Sequence, residues 1–167
     1  MAGIISEGLK AFLKGDYKKA GDIYRRKGNL EKALKMYLLA EDFITASEIE
    51  AALGHPDKAV EYLLRAGEIE GAARLLIQRK NFKKAAEILA SVNMLKEAAE
   101  IAEEGKNFNL AVSLYEKDGR FLEAGFTAYK GGMKPKAILL LAKAMKDFPL
   151  DESIPKDELF KWRDKKK

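Results

Sequence analysis

Few residues in this chain could carry out acid–base, nucleophilic or metal chemistry. Histidine, the side chain whose pKa best suits proton transfer near neutral pH, occurs once, as His55, directly before Pro56 at the expected start of a helix. Cysteine is absent, so the sequence offers no thiol nucleophile, thiolate ligand or disulfide. The adjacent carboxylates Glu103 and Glu104 fall on polar positions of a repeating pattern, which is typical of a solvated helix face.

Recognised motifs for phosphate binding and metal-dependent hydrolysis are also missing. The chain contains no G-x-x-x-x-G-K, no G-x-G-x-x-G and no H-E-x-x-H. The sequence therefore predicts a protein that is not an enzyme. We assign no catalytic residue, no cofactor-binding residue, no metal ligand and no cofactor.

What the sequence does contain is a tandem repeat. Alanine recurs at every thirteenth residue over most of the chain. The ten alanines of this series are Ala20, Ala33, Ala46, Ala59, Ala72, Ala85, Ala98, Ala111, Ala124 and Ala137. Taking this alanine as position five defines ten units, which start at Asp16, Asn29, Asp42, His55, Glu68, Asn81, Met94, Asn107, Arg120 and Met133.

Each unit has the features of one short helix. Apolar positions two, five, eight, nine and twelve lie on one face of an α-helix, and the interiors are rich in good helix formers. One continuous helix is excluded, because thirteen residues at about 100° each leave successive alanines on different faces. Position thirteen is often glycine, which ends a helix easily, and position one is often Asp or Asn, which caps the next. The pattern predicts helices of about ten residues with antiparallel neighbours.

A second period indicates which helices form pairs. Position six is small in odd-numbered units and larger in most even-numbered units, so the structural unit is a hairpin of two helices. Helices this short are marginal in isolation and must bury a face against neighbours on both sides. That requirement favours a solenoid.

The stretch "GDYKKA" and the recurring order of Ala, an apolar residue, Tyr and Gly resemble tetratricopeptide repeats. The resemblance is closer to the short-helix solenoids of clathrin heavy chain, coatomer and intraflagellar-transport proteins, and it covers residues 7–145. The strict tetratricopeptide unit is longer, at about 34 residues, so the resemblance implies the architecture alone. Together with the periodicity it predicts an all-α fold, a right-handed α-α superhelix (solenoid) of about ten short antiparallel helices, with 13 residues per helix and 26 per hairpin.

Lysine is enriched at one position of the even-numbered helices. Position four is lysine in four of these five helices, namely Lys32, Lys58, Lys84 and Lys136. If these helices line one surface about 8–10 Å apart, the lysines form a positive stripe, which we call the lysine ladder and which would suit an acidic peptide. The simpler alternative is a solvated helix face.

The pattern changes near the end of the chain. Position seven is polar in the first eight units and then becomes Phe126 and Leu139, and the last unit reads "AILLLAKAM". An apolar end must be covered, either by the chain's own tail or by another molecule. We therefore divide the chain into a helical repeat solenoid over 1–145 and a C-terminal capping segment over 146–167, with a short helix at 154–162 and a basic end. The alternative is that Phe126 and Leu139 form a partner site.

The composition bounds the function. The chain is 47% apolar and 34% charged, with a net charge of +5, so it should fold and permits an acidic partner without requiring one. No stretch has the length and apolarity of a signal peptide or membrane span, and the lack of cysteine suits a reducing compartment, so we expect a cytoplasmic protein.

We predict a non-enzymatic protein–protein interaction scaffold or adaptor whose partner is a protein or peptide, an acidic one if the lysine ladder binds it. One alternative is a basic module that binds nucleic acid or another polyanion, although helical-repeat readers of nucleic acid use longer units. Another is a structural segment of a larger assembly. The sequence does not set the oligomeric state.

Overall fold

The computed structural model describes residues 6–147, and the regular secondary structure of this part is entirely α-helical. Its helices are α1 (Glu7–Leu13), α2 (Tyr17–Arg26), α3 (Leu30–Leu39), α4 (Phe43–Ala52), α5 (Pro56–Arg65), α6 (Ile69–Gln78), α7 (Phe82–Ser91), α8 (Leu95–Glu104), α9 (Phe108–Lys117), α10 (Phe121–Lys130) and α11 (Lys134–Asp147). The chain divides into two compact units, Met1–Met94 with α1 to α7 and Leu95–Lys167 with α8 to α11. The tail helix expected at 154–162 lies outside the described residues.

The helix boundaries follow the thirteen-residue frame closely. Helices α2 to α11 all begin at position two, and α2 to α10 each contain ten residues. The last, α11, runs on for 14 residues to Asp147. One helix lies outside the ten units, because α1 precedes the alanine series and has Glu7 where that series would require alanine. The described residues therefore form eleven helices, one more than the units alone predict.

Every junction between helices in the described residues uses the same turn. The residue at position thirteen has a positive φ in all ten junctions, including four that are not glycine: Glu41, Lys80, Asn93 and Lys106. The next residue, at position one, donates its backbone N–H to the carbonyl of position nine at 2.8–3.1 Å, which is the hydrogen bond of a Schellman motif. The helix end and the start of the next helix are thus separated by three residues.

Position one also caps the helix that follows it. The side chains of Asn29, Asp42, Asn81 and Asn107 accept a hydrogen bond from the backbone N–H three residues later, at 3.1–3.4 Å. This satisfies an N–H group that has no partner inside the helix. Asp16 occupies the same position, but its carboxylate makes no such bond.

Consecutive helices pack against each other within each of the two compact units, α1 to α7 in the first and α8 to α11 in the second. Because only three residues connect helices that lie side by side, neighbours run antiparallel. All ten repeat alanines are 0 or 1% exposed. A methyl side chain at position five lets two helix backbones approach closely, and the packing is that of a solenoid of short helices.

Glycine at position six marks two close contacts between consecutive helices. A Cβ on Gly21 would lie 3.0 Å from the ring of Tyr37, and a Cβ on Gly125 would lie 2.7 Å from the side chain of Leu141. In both cases the large side chain is at position nine of the next thirteen-residue repeat. Small and large residues therefore alternate across the α2–α3 and α10–α11 interfaces, which keeps each interface tightly packed.

Candidate functional site

Three residues of the lysine ladder lie at corresponding places in the first compact unit, Met1–Met94. Lys32, Lys58 and Lys84 are the third residues of α3, α5 and α7, and all three are exposed. Because consecutive helices alternate in direction, these three helices run parallel and present their N-terminal turns in the same sense. The fourth residue, Lys136, is the third residue of α11 and belongs to the other unit, so we treat it separately.

Two of these lysines contact other side chains of the same compact unit. The ammonium of Lys32 lies 5.8 Å from the centroid of the Tyr24 ring, within the range of a weak cation–π contact. The ammonium of Lys58 lies 3.8 Å from a carboxylate oxygen of Glu50. The side chain of Lys58 is nevertheless 61% exposed, so its charge can still reach a partner.

Glu50 is a buried carboxylate that sequence reasoning missed. Its side chain is 3% exposed, and its Oε2 lies 2.8 Å from Nδ1 of His55. It occupies position nine, which holds Tyr, Leu or Ala in every other unit, and that exception was the signal in the sequence. The only histidine is therefore an N-cap residue that also contacts a buried acid. Loss of His55 would leave the buried carboxylate with fewer partners, so breaking the pair should destabilise the α4–α5 junction.

Helices α2 and α4, which alternate with the ladder helices of the first compact unit, carry paired charges instead. Lys18 and Asp42 form an ion pair of 3.0 Å that joins α2 to the N-terminus of α4, and Arg25 and Glu48 form one of 3.2 Å between the same helices. Burial of Asp42 tends to raise its pKa, but hydrogen bonds from Lys18 and from the Thr45 backbone outweigh burial and lower the pKa of this carboxyl. The pKa of Lys18 is raised by the same pair.

In the second compact unit, Leu95–Lys167, the remaining ladder lysine forms an ion pair with a glutamate. The ammonium of Lys136 lies 2.7 Å from Oε2 of Glu116, which joins α11 to α9. Each of the two side chains is about one-third to one-half exposed. An acidic partner would have to compete with Glu116 for this lysine.

The carboxylate of Glu103 does not lie on a freely solvated face as the sequence suggested. Its Oε2 accepts a hydrogen bond of 2.9 Å from the hydroxyl of buried Thr127, and its Oε1 lies 2.6 Å from the ammonium of Lys130. These contacts tie α8 to α10, so Glu103 has a structural role. Its neighbour Glu104 is exposed as expected.

Large apolar side chains are exposed on the last two helices. They are Leu122, Phe126 and Tyr129 of α10 and Ile138, Leu139 and Met145 of α11, which we call the terminal apolar surface. Phe126 is 55% exposed and Leu139 is 71% exposed. The two residues singled out in the sequence thus belong to a larger set, on two helices that pack together. Nothing among the described residues covers this set.

The apolar character of α10 is a departure from the rest of the array. Leu122, Phe126 and Tyr129 are positions three, seven and ten of their unit, which fall on one helix face. In α2 the same positions hold Lys18, Asp22 and Arg25. The positions that are charged in α2 are therefore apolar in α10.

Among residues 6–147, no three His, Asp or Glu side chains are grouped closely enough to hold a metal ion. None of the helices in this part of the chain combines the length and apolarity needed to cross a membrane.

Comparisons of the chain with known protein families, with curated proteins and with solved structures found no match.

Proposed function

We propose that this protein is a non-enzymatic interaction scaffold or adaptor, acting in the cytoplasm, that binds an acidic segment of a partner protein along Lys32, Lys58 and Lys84. The observation that carries the proposal is the repeated exposure of lysine at the same place on three parallel helices of one unit. Three cations in register favour an extended acidic peptide over a single small anion. We leave Lys136 out of this site, because it belongs to the other unit.

The proposal extends the resemblance to tetratricopeptide-like solenoids, whose repeats serve as binding surfaces in other proteins. Charged contacts at such a surface act mainly on the rate of association, because they steer the partner toward the site. Lys58 is already near Glu50, so an incoming carboxylate gains less from it than from Lys84. We therefore expect Lys84 to contribute more to binding than Lys58.

Binding of a synthetic glutamate-rich peptide by the whole chain tests the proposal. Lys84→Glu should lower the association rate constant several-fold at low salt. Lys83→Glu is the matched control, because it makes the same change in net charge one residue away, at a lysine that pairs with Glu87 on its own helix. Equal rates for the two variants would contradict a site on the ladder.

Salt dependence separates this proposal from its alternative, a basic module that binds nucleic acid. The net charge of +5 is the observation that favours the alternative. A single-stranded oligonucleotide bound through phosphates should lose affinity steeply as salt rises, with a slope that reports the number of phosphate contacts. Tight, steeply salt-dependent binding of the oligonucleotide, without binding of the acidic peptide, would favour the alternative.

A further inference from the structure

We propose that residues 148–162 of this same chain bind the terminal apolar surface and are its occupant. This inference is independent of the lysine ladder, because it concerns the second unit and a different chemistry. It rests on the composition of the exposed face of α11, on the composition of the segment that follows α11, and on the distance that this segment must span.

The exposed face of α11 has an apolar centre between two lysines. Ile138 and Met145 are about two turns apart and share one face of the helix, Leu139 lies at the edge of this face about 100° around the helix from Ile138, and all three are exposed. Lys134 lies one turn before this apolar centre and Lys146 lies at its end, and both are exposed. A ligand for this face must therefore bring apolar side chains with carboxylates close to them.

Residues 148–162 have that composition. The apolar residues of this segment are Phe148, Leu150, Ile154, Leu159, Phe160 and Trp162. Its charged residues are four carboxylates (Asp151, Glu152, Asp157 and Glu158) and two lysines (Lys156 and Lys161), a net charge of −2 in a chain whose net charge is +5. The segment is thus acidic and apolar where the α11 face is basic and apolar.

The segment is also long enough and close enough. Helix α11 contains 14 residues and is about 20 Å long, whereas the 15 residues that follow it reach about 50 Å when extended. The segment can therefore fold back along the full length of α11. Covalent attachment gives it an effective concentration of about a millimolar at this surface. A second copy of the chain or a separate partner lacks that advantage.

The fluorescence of Trp162 tests the proposal, because it is the single tryptophan of the chain and lies at the end of the segment. In the full chain we expect blue-shifted emission and weak quenching by acrylamide. Leu139→Asp should shift the emission to the red and increase quenching several-fold, with unchanged helical circular dichroism, because the Leu139 side chain is exposed and its loss leaves the helix packing intact.

Leu39→Asp is the matched control, because Leu39 is 52% exposed on α3 in the other unit. It should leave the emission of Trp162 unchanged. If full chain and Leu139→Asp were quenched equally, the segment would not bind this surface. Emission that reddened on dilution, together with a dimer in sedimentation, would overturn the proposal in favour of a second copy.

Charge reversal provides a second, independent test. Lys146→Glu should increase the quenching of Trp162, and combining it with Asp157→Lys should restore part of the protection, because the attraction is rebuilt with the signs exchanged. Quenching that responds to neither change would contradict the electrostatic half of the proposal.

Discussion

Glu50 connects the stability of the first unit with its proposed binding surface. Its carboxylate is buried beside His55 and Lys58, which both lie near the N-terminus of α5, where the helix dipole also favours negative charge. Removing Lys58 would leave the buried acid with a weaker set of partners. A loss of binding in a Lys58 variant could therefore arise from the fold, and for that reason Lys84 is the better residue to test.

The positive φ at position thirteen leads to a prediction for a single residue. Lys106 has a φ of 58°, a conformation that costs a side chain with a Cβ about 1 kcal/mol or more and costs glycine little. Lys106→Gly should raise the free energy of unfolding by about 0.5–1 kcal/mol. Urea denaturation followed by circular dichroism provides the measurement.

The control for this change is Lys27→Gly. Lys27 immediately precedes the turn residue Gly28 and has a φ of −82°, a value that any residue adopts. There glycine adds only unfolded-chain entropy, so stability should fall or stay level. Stabilisation of the chain by Lys27→Gly as well would show that the positive φ is not the cause.

At the scale of helices, the α10–α11 interface depends on the absence of a side chain at Gly125. A Cβ there would lie 2.7 Å from the side chain of Leu141 and 3.2 Å from its backbone nitrogen. Gly125→Ala should therefore lower the free energy of unfolding by about 1–3 kcal/mol through overpacking. Adding Leu141→Ala should recover part of this loss, a coupling that a double-mutant cycle measures.

Gly71 is the matched control on α6. A Cβ there would lie 3.5 Å from the side chain of Leu63, which is an ordinary contact. Gly71→Ala should stabilise the protein by about 0.5–1 kcal/mol, because alanine is the better helix former. Equal destabilisation by both changes would mean that the close approach of α10 and α11 is not what makes Gly125 necessary.

Most of the helix pattern could be predicted from sequence because the repeat constrains it. Once alanine sets position five, the start of every repeat helix follows at position two, and even the positive φ of Lys106 is expected from glycines at equivalent positions. Helix α1 was not counted, since it lacks the repeat alanine. Contacts such as Glu103 with Thr127 could not be predicted, because long side chains reach across helices in ways that periodicity does not encode.

At the scale of the whole molecule, removal of residues 148–167 should expose the terminal apolar surface in every copy. We expect a melting temperature lower by about 2–8 °C, which corresponds to a loss of about 1–2 kcal/mol for a chain of this size. We also expect concentration-dependent self-association in sedimentation experiments, because exposed Phe126 and Leu139 can then pair between copies. A truncated chain as stable and as monomeric as the full chain would contradict this prediction.

The candidate site was predictable only in part. The sequence located Lys32, Lys58 and Lys84 at equivalent helix positions, and it singled out Phe126 and Leu139 as unusual. It could not reveal that Lys58 faces a buried acid or that Lys136 pairs with Glu116, because those partners come from other helices. A partner's identity depends on a second molecule, which the periodicity of this chain does not describe.

The three-residue junction also has a consequence for how such a gene can change. One residue, at position one, closes the preceding helix through its N–H and begins the following one, so a junction has no spare residue. Inserting a single codon inside a helix would rotate the later residues of that helix by about 100° about its axis and turn its buried alanine toward water. Duplication or loss of 26 codons, which is one hairpin, keeps every later residue in phase with both periods of the repeat. The coding sequence should therefore tolerate length changes in steps of whole hairpins and reject nearly all others.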